Sequence, residues 1–185
     1  MRKNKTRYAL LGWLNRGPRS GYELKKLTED HLNFFWNESY GQIYPILHSM
    51  EKEGLVVVQD RKDPGRPPKK IYTITRSGKK ELNRWFEFEP DKEIYRSEML
   101  LKLFFSDSSS ITSLRYHIQE RLAQARTRLR EFDQKLEAVA REKHGKQELA
   151  YWTMTIELGI SQELAMIDWC VQTLDNLESL DSTVE

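Results

Sequence analysis

The stretch Ser39-Tyr-Gly-Gln-Ile-Tyr-Pro-Ile-Leu-His-Ser-Met50, followed by Glu51-Lys-Glu-Gly54 and Leu55-Val-Val-Val-Gln59, decides the fold. Ile43, Leu47 and Met50 recur at spacings of four and three, with Ile46 beside them, so one helical face turns inward. Gly41, Tyr44, Pro45, His48 and Lys52 then share the outward face. Ser39 with Gln42 three residues on forms a capping-box pattern that would start this helix. Pro45 conflicts with a regular helix through that point, because it removes a hydrogen bond and clashes with the preceding turn. Either the helix begins nearer Gln42 or it bends at Pro45. Gly54 suits the residue just past the helix end, and Leu55–Gln59 is a β-prone run.

Downstream, Asp60 to Pro68 is a turn-rich basic loop containing Pro64-Gly65 and Pro67-Pro68. Lys70-Ile-Tyr-Thr-Ile-Thr75 returns as a second strand. The two runs make a hairpin with a long tip, and Pro67 and Pro68 must lie outside its paired part. A helix from Arg76 to Phe86 follows, carrying Leu82, Trp85 and Phe86. Upstream, Ala9, Leu10, Trp13 and Leu14 mark a first helix over Thr6 to Asn15, stopped by Gly17-Pro18. Ser20-Gly-Tyr-Glu23 is a capping box opening a second helix, with Tyr22, Leu24 and Leu27 expected toward the core. Phe34-Phe-Trp36 is either a plug between helices or the wall of a ligand cavity. The order is helix, helix, helix, hairpin, helix. That is a winged helix-turn-helix over residues 1–88.

Residues 89–185 read as long helices. Glu93 to Phe105 forms a short amphipathic helix, and Ser106 to Ser110 breaks it. From Ile118 onward, Leu122, Ala125, Leu129, Phe132, Leu136 and Val139 form a heptad seam. Ile111 and Leu114 extend the stripe upstream through a stutter. A last helix over Glu148 to Leu180 would turn Trp152, Ile156, Ile160, Leu164, Ile167, Val171 and Leu174 to one side, with Gly159 permitting a close contact. So continuous a stripe needs a partner, which is expected to be the same helices of a second subunit. A tetramer and an intramolecular hairpin stay open. The fold class is therefore mainly α with a small β-hairpin: an N-terminal winged helix-turn-helix plus a C-terminal long-helix dimerisation domain.

Composition narrows the function. The chain has 185 residues, one cysteine and a net charge of +2. Residues 1–90 hold 18 lysines and arginines against 11 acids, and residues 91–185 hold 12 against 17. The first half is thus suited to a polyanion and the second to something else. Cys170 cannot form an intrachain disulfide and lies in an apolar helical run, which points to a buried small hydrophobe. No apolar run approaches the roughly 20 residues of a membrane helix. The basic start lacks the apolar stretch of a signal peptide, so a cytoplasmic protein is expected. There is no Gly-rich phosphate loop and no His-Glu-x-x-His. The four histidines show no metal-ligand spacing. No enzyme, cofactor or metal is expected.

A recognition helix fits a major groove about 12 Å wide, and a basic hairpin can reach the adjacent backbone. Ser39, Tyr40, Gln42 and Tyr44 on the helix and Arg61, Arg66, Lys69 and Lys70 on the wing are therefore the DNA-binding candidates. Ser39 would cap the helix or reach phosphate. The amide of Gln42 has the chemistry to pair with adenine, unless it serves as a cap. Tyr44 contacts DNA or packs on the hairpin. Lys69 and Lys70 contact phosphate or are a solvated strand end. Trp13, Phe35, Trp36, Trp85 and Tyr95 are candidates for the aromatic lining of an effector site between the head and the helical domain.

These motifs make the family recognisable. Gly41-Gln-Ile-Tyr-Pro-Ile-Leu47, Met50-Glu-Lys-Glu-Gly-Leu55, Tyr8-Ala-Leu-Leu-Gly-Trp-Leu14, Ser20-Gly-Tyr-Glu-Leu24, Lys70–Thr75 and Ser77-Gly78 together resemble the PadR family of bacterial transcriptional regulators. Phe35-Trp36 and Glu98-x-x-x-Lys102 resemble the branch with a long C-terminal domain, which includes the phenolic-acid-responsive PadR regulators and the virulence activator AphA. The resemblance implies a homodimer on double-stranded operator DNA, joined through its C-terminal helices with help from the first. It also implies a repressor released by a small aromatic or lipophilic effector. The rival readings are a ligand-independent activator or regulator, and a helical protein-interaction adaptor.

Overall fold

The structure, a computed structural model, describes residues 4–36, 40–61, 68–141 and 145–181. It divides into two compact units, residues 1–92 and 93–185.

In the first unit, α1 (Thr6–Asn15) and α4 (Arg76–Phe86) occupy the expected spans. Ser20 caps α2 (Gly21–Leu32). Its hydroxyl accepts from the Glu23 N–H at 3.2 Å, and the Glu23 carboxylate accepts from the Ser20 N–H at 2.7 Å. These bonds satisfy groups that every helix start leaves unpaired. α3 (Ile43–Lys52) begins after a short 3₁₀ turn, Tyr40–Gln42. Pro45 therefore falls in the first helical turn, where its missing N–H is not needed. This resolves the conflict in favour of a late start. The expected capping box pairs Gln42 with Ser39, which lies outside the described residues; as the residue just before α3, Gln42 makes no side-chain cap bond.

Gly54 ends α3 with φ of +69°, a backbone conformation that favours glycine. The hairpin follows as β2 (Val56–Arg61) and β3 (Lys69–Ile74). A two-residue strand, β1 (Arg19–Ser20), pairs on the far side of β3, so the hairpin becomes a three-stranded antiparallel sheet of order β1-β3-β2. The core forms where the inner faces of α1, α2 and α3 converge. Leu10, Leu14, Leu24, Ile43, Leu47 and Met50 are almost wholly buried, and each such side chain contributes about 1.5–3 kcal/mol by leaving water. Tyr22, expected inward, is 69% exposed, because Leu24 and Thr28 supply the buried side of α2.

In the second unit, α5 (Glu98–Phe104) is shorter than the expected 93–105. Ser97 caps it, accepting from the Leu100 N–H at 3.2 Å, which fixes the start. α6 (Ile111–Arg141) and α7 (Lys146–Asp181) pack on each other. On α6, Ile118, Ala125, Phe132 and Val139 are buried, while Leu122, Leu129 and Leu136 are half-buried. On α7 the buried row is Ile156, Glu163, Cys170 and Leu177, at heptad spacing. Of the expected stripe, Ile156 is buried, Trp152, Ile160, Ile167 and Leu174 are half-buried, and Leu164 and Val171 are exposed. Phe132 seats its ring on Gly159, where an added Cβ would lie 2.4 Å from Cζ. Buried Glu163 accepts from Arg121 at 3.2 Å and from Arg128 at 3.3 Å, so its charge is compensated. Cys170 is fully buried, and burial pushes its thiol pKa up.

Candidate nucleic-acid interface

α3 presents its surface as its pattern requires. Ile43, Ile46, Leu47 and Met50 are buried, while Gly41, Gln42, Tyr44, Pro45, His48 and Ser49 are exposed. Because Gln42 makes no capping bond, its amide is not committed to the helix end. Tyr44 is 55% exposed and packs on the start of α2 rather than on the hairpin alone. An added Cβ on Gly21 would lie 2.6 Å from Tyr44 Cε1. The absence of a side chain at Gly21 thus lets the ring lie across the α2 N-terminus. Beneath it, burial raises the Tyr72 hydroxyl pKa, with the neighbouring Glu51 and Tyr44 adding to the effect. Tyr40 contributes its backbone to the 3₁₀ turn.

The wing gains its charge from strand register. Arg61 pairs with Lys69, and Asp60 with Lys70. Directly opposed residues share a face, and neighbours along a strand alternate. Arg61 and Lys69 therefore stand together on one face, and Lys70 lies on the other beside an acid. Like charges directly opposite destabilise a sheet, which a polyanion bridging both would offset. Lys69 also bears on α2: after its bonds to Ser20, the Lys69 and Arg19 charges help hold the Glu23 carboxyl below its ordinary 4.5. Arg66 lies outside the described residues.

The expected effector residues have different surroundings. Trp13 is buried on α1, 5.5 Å from the His31 ring and 5.0 Å from the Arg16 guanidinium. Trp36 is half-buried and donates from Nε1 to Thr6 Oγ1 at 3.3 Å. Trp85 stacks on Tyr8, with centroids 4.7 Å apart and planes 7° from parallel. Phe35 is largely exposed, edge-on to Phe34. Tyr95 belongs to the second unit and is 76% exposed. The first turn of α1 thus meets Trp36 through Thr6 and Trp85 through Tyr8, two residues apart and on different faces of the helix.

A feature the sequence reading missed lies beside Trp85. Tyr8, Glu81, Arg84 and Phe88 line a pocket of about 220 Å³. Tyr8 donates to Glu81 at 3.3 Å, and Arg84 lies 5.7 Å from the Phe88 centroid. The spacing of Glu81, Arg84 and Phe88 places them near one helix face, but only the fold brings Tyr8 there. Among the described residues, no three metal-ligating side chains group to hold an ion, and no helix is long and apolar enough to cross a membrane.

Three helices, a sheet-borne wing and a fourth helix define a winged helix-turn-helix, with a long-helix unit after it in the chain. Residues 10–84 match the transcriptional regulator PadR-like family, and residues 95–178 match the virulence activator alpha C-terminal family. The chain therefore carries a PadR-like family domain followed by a virulence activator alpha C-terminal domain. It is 36% identical over 100 residues to the negative transcriptional regulator PadR of Bacillus subtilis (strain 168), covering 54% of this chain and 55% of that protein. The match therefore spans about half the length of the curated relative. The B. subtilis PadR crystal structure in complex with operator DNA superposes with a TM-score of 0.81 at 26% identity, covering 94% of this chain and 99% of that one. The structure of the same protein with p-coumaric acid gives 0.78 at 25% identity, covering 95% and 99%.

Proposed function

We propose that this chain is a sequence-specific DNA-binding transcriptional regulator, a repressor that a small aromatic or lipophilic effector releases from its operator. The observation that carries this reading is the pairing of an exposed recognition face, Gln42 and Tyr44, with a wing that opposes Arg61 to Lys69. The first can meet base edges, and the second suits phosphates. The B. subtilis relative, described as a negative regulator and solved with operator DNA, supports the reading. The first unit is read as the DNA-binding domain and the second as the dimerisation domain of a homodimer. The exposed Tyr151, Met154 and Leu158 of α7 favour a second copy there. Such a regulator acts in the bacterial cytoplasm, without catalysis.

The relative solved with p-coumaric acid supports an aromatic effector. In this chain the open pocket lined by Tyr8, Glu81, Arg84 and Phe88 offers two rings and a guanidinium beside a carboxylate, a candidate contact for a small aromatic effector. An effector acts only if it binds the DNA-competent and incompetent states differently.

The test is selection from a random duplex pool, then anisotropy on the selected duplex and its scramble across a salt series. Tight binding to the selected duplex that weakens steeply with salt is the expected result. A pool that shows no enrichment overturns the reading. Aromatic acids titrated into the complex then test release, and unchanged affinity with every bound acid overturns the effector part.

A further inference from the structure

The first turn of α1 holds a buried cation outside the DNA-facing surface. Arg7 is only 6% exposed, and its Nη2 donates to Glu53 Oε2 at 2.6 Å. Glu53 is the C-cap of α3, and its other carboxylate oxygen accepts from Ser49 Oγ at 2.9 Å. One carboxylate thus ties α1 to the last turn of the recognition helix. The turn after it is held from another direction. Thr75 Oγ1 donates to the Gly54 carbonyl at 2.7 Å, and the Thr75 N–H donates to the Leu55 carbonyl at 3.0 Å. Gly78 packs so closely that an added Cβ would lie 2.2 Å from that Leu55 oxygen.

Thr75 and Gly78 fix where the chain leaves α3. The Arg7–Glu53 pair adds a hold on the helix itself. A buried guanidinium strongly favours the one arrangement that keeps its carboxylate, and a cation beside the last helical turn is further favoured by the helix dipole. Gln42 lies at the other end of α3, about 16 Å away at 1.5 Å per residue. A tilt of about 5° about the Glu53 end would move Gln42 by about 1.4 Å. That displacement exceeds the tolerance of a hydrogen bond to a base edge.

We propose that Arg7 is a positioning residue for DNA recognition: by holding Glu53 it sets the tilt of α3, and so where Gln42 and Tyr44 meet the groove. This rests on the DNA-binding reading above. It separates affinity from specificity. A lost tilt harms base contacts, while the phosphate contacts that dominate non-specific binding survive.

The experiment uses the full chain with the selected duplex and its scramble, well below the melting temperature of each variant. Arg7→Met and Glu53→Gln are expected to weaken binding to the selected duplex by about tenfold, within the range of couplings between contacting groups. Binding to the scramble stays within about twofold. Arg7→Lys restores most of the preference, and the double variant is no worse than Arg7→Met. Glu53→Gln keeps shape and sits nearer solvent, so it reads the effect if Arg7→Met does not fold. Equal losses on both duplexes mark a merely structural role and overturn the assignment, as does an unchanged preference. A wild-type protein that enriches no duplex removes the DNA reading and this assignment together.

Discussion

Tyr44 lies across Gly21, so that a Cβ on the glycine would sit 2.6 Å from the ring edge. The contact couples the start of α2 to the exposed face of α3. Gly21→Ala therefore tests where that ring must be. The clashing atom is the far end of an exposed side chain, which can swing away, and alanine is the better helix former by about 1 kcal/mol. The melting temperature should change little. The displaced Tyr44 should lose its DNA contact, and operator affinity should fall by about tenfold, near 1.4 kcal/mol. Unchanged affinity in an anisotropy titration would show that the ring position does not matter.

The wing makes a different prediction. Arg61→Ala and Lys69→Ala each remove one of two like charges facing each other across β2 and β3. Relief of that repulsion should leave stability unchanged or raise it by about 0.2–1 kcal/mol. If each side chain neutralises one phosphate, the slope of log affinity against log salt should fall by about 0.9 per variant. Lys70→Ala, on the opposite face beside Asp60, should alter the slope less. A slope insensitive to Arg61 and Lys69 would place phosphate binding elsewhere.

These cases show what the sequence makes legible. The end of α1 is legible because Gly17-Pro18 stops it with local chemistry, whereas the start of α4 is fixed by the Thr75 hydroxyl accepting from the Gly78 N–H, a cap not used in reading the sequence. β1 is not legible, because two residues carry no periodicity. The side of α7 that packs on α6 is only partly legible in the sequence, for a physical reason. Its buried row includes Gly159 and Glu163, which an apolar count omits, and Glu163 is buried only because two arginines of α6 meet its charge. The wing cations were nameable from sequence, but which two share a face depends on register. The pocket beside Tyr8 required residues some 73 positions apart to meet, and no local pattern announces that.

The Phe132 ring of α6 packs directly on Gly159 of α7. Gly159→Ala puts a Cβ 2.4 Å from a buried ring atom, and neither helix backbone can yield cheaply. A destabilisation of about 1–3 kcal/mol is expected from overpacking, despite the gain in helix propensity. Phe132→Leu in the same chain should recover part of it by retracting the ring. Urea unfolding followed by circular dichroism measures both. Additive losses in the double variant would show that the two positions do not compete for the same space.

The Ser20–Glu23 capping box predicts a pH dependence. Bonds from Ser20, then the Lys69 and Arg19 charges, hold the Glu23 carboxyl below its ordinary 4.5. A carboxyl whose folded value is depressed binds protons more readily when unfolded. Its contribution to stability is therefore fully present well above pH 4.5 and is lost as pH falls through the lower folded value. Glu23→Gln removes that contribution at neutral pH. The melting temperature of the wild-type protein should exceed that of the variant by a constant margin above about pH 6, and the margin should shrink progressively below pH 4.5. Ser20→Ala should shrink the same margin, because it removes the largest cause of the shift and leaves the bond from the backbone N–H at position 20 with the weaker pull of Lys69 and Arg19. A margin that stays constant down to pH 3 would mean that the carboxylate charge does not stabilise the start of α2, and that the cap acts through the Ser20 hydroxyl alone.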